Sequence, residues 1–369
     1  MRIFVTDCEG PLTRNDNAQE IAEAFLPAGA DFFARLSKYD DFLIDVARKP
    51  GYNAGNTLSL IAPFFRAFGL DDHTVEDFSR KNVLVVPGAV DLLHQVRNLM
   101  PTFVISTSYS PYIRALCAVT GFDYANCRCT ELHLDDWRLP PTEAMWLRGW
   151  TTRIAQRAVI TIPPGAVASA EASAARTGGD PVPDRTAPLS TPAWALDLLS
   201  PADQETVREF DRLFWHELPL RAVSSAMVGA VVPIGGGMKL AALEQIMRDT
   251  GCAGNEVMYV GDSITDTPPL AAVRDWGGVS LSFNGNDYAL AAAEIAAAGG
   301  DTSPTLELAK AFASGGADAA RALARAWPQP AASGGLPAVG LTAERREELA
   351  QASRAARASV RGERIADLG

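Results

Sequence analysis

The sequence predicts an α/β protein with a doubly wound parallel sheet as its core and mostly helical cap insertions. Three short apolar runs, at residues 2–6, 102–105 and 257–260, end abruptly in polar residues, and the last two are followed by helical patterns. Continuous apolar strands that alternate with helices are typical of a parallel sheet covered on both faces. Ligands bind such sheets at the carboxyl ends of the strands, so the residues after these runs are the first candidates for a site.

The spacing of the strands predicts insertions. The chain has 369 residues, enough for two to three structural units. Asp7, Ser106 and Lys239 are separated from one another by far more chain than the roughly 30 residues of a bare βαβ unit. We therefore expect a core (1–16, 84–135 and 229–327), a helical cap (17–83) and a second, mostly helical insertion (136–228).

The last third of the chain carries two further expectations. After residue 283 the sequence is rich in alanine, which favours helix to about residue 327. Residues 328–369 begin with a Pro-, Gly- and Ser-rich stretch and continue as a charged helical pattern without a strong apolar stripe. We expect a linker and a charged C-terminal tail that the chemistry does not need.

Composition narrows the class of partner. Hydrophobic residues make up 47% of the chain, and the net charge is -11, which argues against nucleic acid and anionic membrane surfaces. The five cysteines and four histidines are scattered, so neither a disulfide framework nor a zinc array is indicated. With no predicted export signal or membrane span, we expect a cytoplasmic protein with a small-molecule partner; the oligomeric state stays open.

Charged groups gather at the predicted strand ends and at the start of one helix. Acids that share one small site repel each other unless a cation lies among them. Mg²⁺ prefers oxygen ligands, and no cluster of His or Cys offers softer ones. The sequence therefore predicts a Mg²⁺ site, with the candidate ligands Asp7, Glu9, Asp262 and Asp266.

The same strand ends suggest chemistry on a phosphoryl group. Asp7 is the candidate nucleophile, which would form an acyl phosphate, and Glu9, two residues on, is the candidate general acid and base. Gly10 fits a sharp turn that exposes N–H groups to phosphate oxygens. The Ser106 hydroxyl and the Lys239 ammonium would bind the phosphate.

Several assignments have alternatives. A shift of register would replace Ser106 by Thr107 or Ser108, and Thr107 is also a candidate substrate-binding residue. Lys239 competes with Arg221, Lys49 and Lys38 for the role of phosphate-binding cation. Arg48 and Lys49, beside a Pro-Gly turn in the first insertion, are candidate substrate-binding residues; a solvated cap loop is the alternative.

The candidate residues occur in four motifs that resemble those of the haloacid dehalogenase-like (HAD) superfamily of aspartate-nucleophile phosphatases. The motifs are DCEGPLT from Asp7, VIST from Val104, Lys239 after the glycines at 235–237, and GDSITD from Gly261. The resemblance implies that Asp7 attacks phosphorus, that Asp262 and the Glu9 carbonyl join Asp7 around Mg²⁺, and that Asp266 supports the metal. It covers the predicted core.

Glu9 stands where most phosphatases of the superfamily have Asp. Glutamate also occurs at this position in the enolase-phosphatase branch, whereas dehalogenases and phosphonatases have no carboxylate there. A narrower resemblance, through segments such as SFNGN from Ser282, is to a group labelled energy-converting hydrogenase A subunit R. The expected function is Mg²⁺-dependent hydrolysis of a small phosphorylated metabolite; a phosphotransferase or phosphomutase, and a non-catalytic regulatory subunit, are the alternatives.

Overall fold

The computed structural model describes residues 1–163, 165–166, 190–328 and 336–362. The chain forms two units. The first comprises Met1–Asn17, Glu76–Thr130 and Ile234–Gly369, and the second comprises Ala18–Val75 and Glu131–Pro233. The two insertions predicted from the sequence thus contribute to one unit.

The first unit is an α/β structure, whose described residues form a sheet of seven strands in the order β3-β2-β1-β4-β5-β6-β7. Neighbouring strands are parallel except that β7 runs antiparallel to β6. The arrangement is compatible with the predicted doubly wound fold. The strands are β1 (Ile3–Thr6), β2 (Thr102–Tyr109), β3 (Cys127–Thr130), β4 (Val257–Gly261), β5 (Val279–Phe283), β6 (Ile295–Ala298) and β7 (Ala338–Leu341).

Fifteen α-helices occur among the described residues. In the first half of the chain they are α1 (Asn17–Phe25), α2 (Gly29–Asp45), α3 (Thr57–Ala67), α4 (Asp72–Asn82), α5 (Ala89–Val96), α6 (Ser110–Thr120) and α7 (Pro141–Ala155). The others are α8 (Ala193–Leu196), α9 (Pro201–Asp211), α10 (Ala222–Ala230), α11 (Gly237–Thr250), α12 (Thr267–Asp275), α13 (Asp287–Ala292), α14 (Ser303–Ala326) and α15 (Thr342–Arg361). None of these helices is both long enough and apolar enough to cross a membrane.

Alternating side chains of the strands build a core on each face of the sheet. Phe4 of β1 packs with residues of α5, α6 and α14. Its neighbours Ile3 and Val5 pack on the opposite face with residues of α11 and α12. Each fully buried Leu, Ile or Phe contributes roughly 1.5–3 kcal/mol through the hydrophobic effect. With both faces covered, the open carboxyl ends of the strands are left to position functional groups.

The end of the first unit differs from the expectation. Residues 295–298, predicted to lie in a long alanine-rich helix, form strand β6, and all four are buried. Residues 338–341 pair with them as β7, and α15 packs Leu349, Ala352 and Ala356 against this edge of the sheet. Residues 338–361 of the segment expected to be a charged tail are therefore part of the core, because their small apolar side chains are buried there. Most of the predicted linker lies outside the described residues.

The second unit is helical. Within it, the Arg148 guanidinium of α7 donates to the carbonyl of Ala67 at the end of α3, with 2.6 Å between Nε and O. Glu143, at the start of α7, accepts from the N–H and the hydroxyl of Ser224 in the first turn of α10. These contacts satisfy backbone groups that helix ends leave unpaired.

Asp40 on α2 makes the stability of the second unit depend on pH. Its carboxylate accepts from the Gly55 N–H at 2.9 Å, but burial dominates and raises the pKa of Asp40 to about 7. The unfolded carboxyl loses its proton near pH 4, so the folded state binds the extra proton between pH 4 and 7, and stability falls as the pH rises through this range.

We expect Asp40→Asn to remove this loss, because the amide cannot ionise. The free energy of unfolding of the variant should exceed that of wild type by nearly zero at pH 4 and by as much as about 4 kcal/mol above pH 7. Urea unfolding of both proteins from pH 4 to 8 measures the difference. If the free energies of unfolding of the two proteins changed in parallel over that pH range, Asp40 would not be the group that stays protonated in the folded state.

Candidate functional site

The central strands bring Asp7 and Asp262 to the same edge of the sheet. β1 lies between β2 and β4, and Thr6 pairs with Val260 in parallel register. The Asp7 N–H donates to the carbonyl of Val260 at 2.9 Å. Asp262 follows the last residue of β4, so both carboxylates lie just beyond neighbouring strand ends, as the sequence predicted.

Lys239 joins these acids from helix α11. It lies on the buried side of that helix with Leu243 and Ile246, and its side chain is 0% exposed. Its Nζ lies 2.7 Å from Oδ2 of Asp7 and 2.8 Å from Oδ1 of Asp266. Desolvation opposes the charged ammonium, but Asp266 and Asp7 outweigh it and raise the pKa of Lys239 above its ordinary value.

Burial, which by itself lowers the pKa of a lysine, raises the pKa of the Asp7 carboxyl. Desolvation of the carboxylate, only partly offset by Lys239, raises the pKa of Asp7 to about 7. The Cys8 N–H donates to Oδ1 of Asp7 at 2.6 Å, while Oδ2 faces the ammonium. The carboxylate is therefore held by both oxygens.

Asp266 organises its neighbours. Oδ1 accepts from Lys239 and from the Tyr259 hydroxyl, both at 2.8 Å. Oδ2 accepts from the N–H groups of Asp262, at 3.1 Å, and Ser263, at 3.3 Å. Asp266 thus fixes both the lysine and the loop that carries Asp262.

Ligand oxygens of Asp7, Asp262 and Asp266 all lie within 4.8 Å of one another. Three buried carboxylates at this spacing suit a hard divalent cation such as Mg²⁺ by donor type. Each oxygen of Asp266 accepts from at least two donors, whereas Oδ1 of Asp7 accepts from Cys8 and Oδ2 contacts Lys239, so we take Asp7 and Asp262 as the better direct ligands and Asp266 as their support. The carboxylate of Glu9 is not in this cluster, and the Glu9 backbone carbonyl, the ligand that the resemblance implies, stays a prediction.

Glu9 points its carboxylate at the backbone of α1. Oε1 accepts from the Asn17 N–H at 2.8 Å. Desolvation and the nearby Asp16 raise the pKa of Glu9 well above its ordinary value, against the opposing effect of that N–H and of Arg361. A buried carboxyl with a raised pKa is suited to donate a proton.

Gly10 brings the loop after β1 against Asp262. Its φ is +98°, and a Cβ at this position would lie 2.3 Å from the carboxyl carbon of Asp262. The Gly10 N–H, expected to face phosphate, donates instead to the carbonyl of Thr13 at 2.8 Å. The glycine is required here for the close approach of a carboxylate.

We expect Gly10→Ala to destabilise the protein by about 2–5 kcal/mol, which combines an unfavourable backbone conformation with a side-chain clash. Gly251→Ala is the matched control, because Gly251 also has a positive φ, +66°, but no atom lies within 4 Å of its added Cβ. The free energy of unfolding of that control should fall by only about 1–2 kcal/mol. Denaturant unfolding of both variants measures the difference, and equal losses would contradict the clash.

The hydroxyl residues of β2 lie one strand away from Asp7. The Ser106 hydroxyl is buried and donates to Ser108 Oγ at 3.0 Å. Thr107 donates to the carbonyl of Ile234 at 3.0 Å, so its hydroxyl ties β2 to the segment before α11. The strand predicted at residues 102–105 continues to Tyr109, so Ser106 and Thr107 lie within β2 and not after it. Ser106 stays the candidate phosphate-binding residue, and Thr107 has a structural contact.

Arg48 and Lys49, the candidate substrate-binding residues, belong to the second unit. The Lys49 ammonium lies 4.2 Å from the centre of the Trp215 ring. Desolvation lowers the pKa of Lys49 to about 8, against the raising effect of Asp211.

Two arginines of α15 complete the cluster and were not anticipated. Arg357 and Arg361 both donate to Oδ2 of Asp262, Arg361 at 3.1 Å. Their side chains are 4% and 7% exposed. Desolvation lowers the pKa of Arg357, whereas Asp262 and Glu9 outweigh desolvation and raise that of Arg361.

No protein-family model and no curated protein matches the sequence. Among solved structures, the gene product AF1437 from Archaeoglobus fulgidus is similar, with a TM-score of 0.80 and 25% sequence identity. The match covers 100% of this chain and 99% of that one. It therefore includes strand β7 and helix α15, the helix on which the two arginines lie.

Proposed function

We propose that this protein is a Mg²⁺-dependent phosphomonoester hydrolase that acts on a small phosphorylated metabolite through a phospho-Asp7 intermediate. The observation that carries the proposal is the buried contact of Asp7 with Lys239, with the Asp262 carboxylate beside them. The order of the sequence motifs, which resembles that of the HAD aspartate-nucleophile phosphatases, supports it.

Asp7 would attack phosphorus with a carboxylate oxygen, and the bond from phosphorus to the leaving alcohol would break. Glu9 would give its proton to the departing alkoxide. A water molecule would then attack the acyl phosphate and pass a proton to Glu9, which restores Asp7 and releases inorganic phosphate. A bound Mg²⁺ would supply positive charge that lets an anionic phosphate approach an anionic carboxylate.

The contacts of Asp7 suit this role. The Lys239 ammonium and the Cys8 N–H fix the orientation of the carboxylate, so little freedom is lost when substrate binds. Lys239 also offers a positive charge where charge develops on the phosphoryl oxygens. The raised pKa of Glu9 favours the protonated form that the first step needs.

A panel of phosphorylated metabolites, assayed for phosphate release with Mg²⁺ or with EDTA, tests the proposal. We expect at least one substrate to be hydrolysed only with the metal, and a phosphorylated peptide containing Asp7 to be detected by mass spectrometry after acid quench. An added alcohol acceptor distinguishes a phosphotransferase, because the phosphoryl group then appears on the acceptor. No release and no phosphorylated peptide across the panel would count against the enzyme.

A non-catalytic regulatory role is the second candidate, and one observation favours it. Arg357 and Arg361 both pair with the carboxylate of Asp262, so cations of the chain itself balance the charge of this acid. A chain that keeps the fold without the reaction would be inactive on the whole panel, and Asp262→Asn would not weaken its binding of Mg²⁺.

A further inference from the structure

The C-terminal helix inserts two positive charges among the acids of the site. Arg357 and Arg361 are one helical turn apart, and both face Oδ2 of Asp262. Arg357 also approaches the backbone carbonyls of Asp262, at 3.3 Å, and Asn284, at 3.4 Å. Arg361 donates to the carbonyl of Asn15 at 2.7 Å. The helix is thereby joined to both loops that border the site.

These arginines change the charge balance on which the expectation of a metal rests. The three clustered carboxylates face three cations of the chain itself: Lys239, Arg357 and Arg361. Glu9 and Asp16 also act electrostatically on Arg361. A divalent cation that binds Asp262 would therefore compete with two guanidinium groups for the same carboxylate oxygen.

Arginines that a cation displaces from Asp262 would be able to bind an anion. A guanidinium that is more than nine-tenths buried is costly without an anionic partner. The planar donors of arginine match the oxygens of phosphate, with which they form paired hydrogen bonds. Arginines released from Asp262 would therefore be left favourably placed for an oxyanion.

We propose that Arg357 and Arg361 form an oxyanion-binding pair that a divalent cation uncovers, so that cation and phosphate bind cooperatively. The inference rests on the proposed function, since it takes the cation to bind at Asp7 and Asp262. Before the cation binds, the two arginines contact Asp262, and together with Lys239 they balance the charges of the three clustered carboxylates. Once the cation takes Asp262, the pair is available to phosphate.

Calorimetric titration of metal-free protein with Mg²⁺, with and without inorganic phosphate, tests the coupling. In wild type we expect phosphate to tighten Mg²⁺ binding at least tenfold, and Mg²⁺ to tighten phosphate binding by the same factor. The double variant Arg357→Gln, Arg361→Gln should bind Mg²⁺ alone more tightly than wild type, and its coupling factor should be at least fivefold smaller.

Arg354→Gln is the matched control, because Arg354 is on the same helix but is 60% exposed and pairs with the exposed Asp287. It should behave as wild type does. Mg²⁺ affinity in the double variant that equals or falls below that of wild type, or undiminished coupling, would overturn the inference and leave the proposed function standing. Absence of Mg²⁺ binding in every protein would overturn both.

Hydrogen exchange on the wild-type protein gives an independent test that needs no variant to fold. Mg²⁺ alone should speed amide exchange in residues 349–361, because the helix loses its contacts to Asp262, and added phosphate should slow it again. Exchange in this segment that does not respond to Mg²⁺ at saturating concentration would refute the displacement of the arginines.

Discussion

Asp7→Asn is expected to lower phosphate release by at least about a thousandfold on any substrate that the panel identifies, because an amide does not form the acyl phosphate. The substitution is nearly isosteric. The amide oxygen can still accept from the Cys8 N–H, and Lys239 keeps its ion pair with Asp266. The loss should therefore appear in kcat, with the fold retained, and steady-state kinetics with circular dichroism measure both.

Asp275→Asn serves as the control for this substitution. Asp275 lies at the end of α12, is 67% exposed in its side chain and pairs with Arg274 at the surface. Its loss should leave phosphate release within about twofold of wild type. If Asp7→Asn retained activity within tenfold of wild type, Asp7 would not be the nucleophile.

The positions of Asp7 and Asp262 could be predicted because each acid follows a short apolar run that is typical of a strand in a parallel sheet, and Lys239 because it opens a helix after a run of glycines. Short β-branched runs that end in acids predict parallel strands, and parallel strands deliver their ends to one edge. The structure brings these three residues and Asp266 together. The pattern could not predict which donor each carboxylate oxygen contacts, such as the Lys239 ammonium and the Tyr259 hydroxyl on Oδ1 of Asp266.

The C-terminal part of the site was missed for a physical reason. Strand β6 has the sequence IAAA, and alanine favours helix until burial in a sheet overrides that preference. In α15 the buried positions are Thr342, Leu349, Ala352, Ser353, Ala356 and Arg357. Most of these side chains are small, so the stripe has little hydrophobicity, and the many charges suggested a solvated helix.

A signal for the arginines did exist in the sequence. Leu349, Ala352 and Ala356 recur at helical spacing, and Arg357 falls beside Ala356 on the same stripe. An arginine on the buried side of a helix needs an anionic partner. The sequence could not identify that partner as Asp262, because the contact joins residues that are 95 positions apart.

Lys239→Met should destabilise the protein by about 3–5 kcal/mol, because it leaves two buried carboxylates facing each other without a cation. The partners Asp7 and Asp266 are 7% and 0% exposed in their side chains, so water cannot replace the ammonium. Urea unfolding with EDTA present measures the loss without any compensation from metal. Lys310→Met, which breaks an exposed pair with Glu307, should cost under about 1 kcal/mol.

A double-mutant cycle separates the ion pair from the packing of the lysine side chain. Asp266→Asn removes one of the two stranded charges, so the double variant Lys239→Met, Asp266→Asn should be less destabilised than the sum of the two single variants, by about 1–3 kcal/mol. Additive losses would mean that the pair of Lys239 with Asp266 adds no net stability. The loss in Lys239→Met would then come from its pair with Asp7 and from packing.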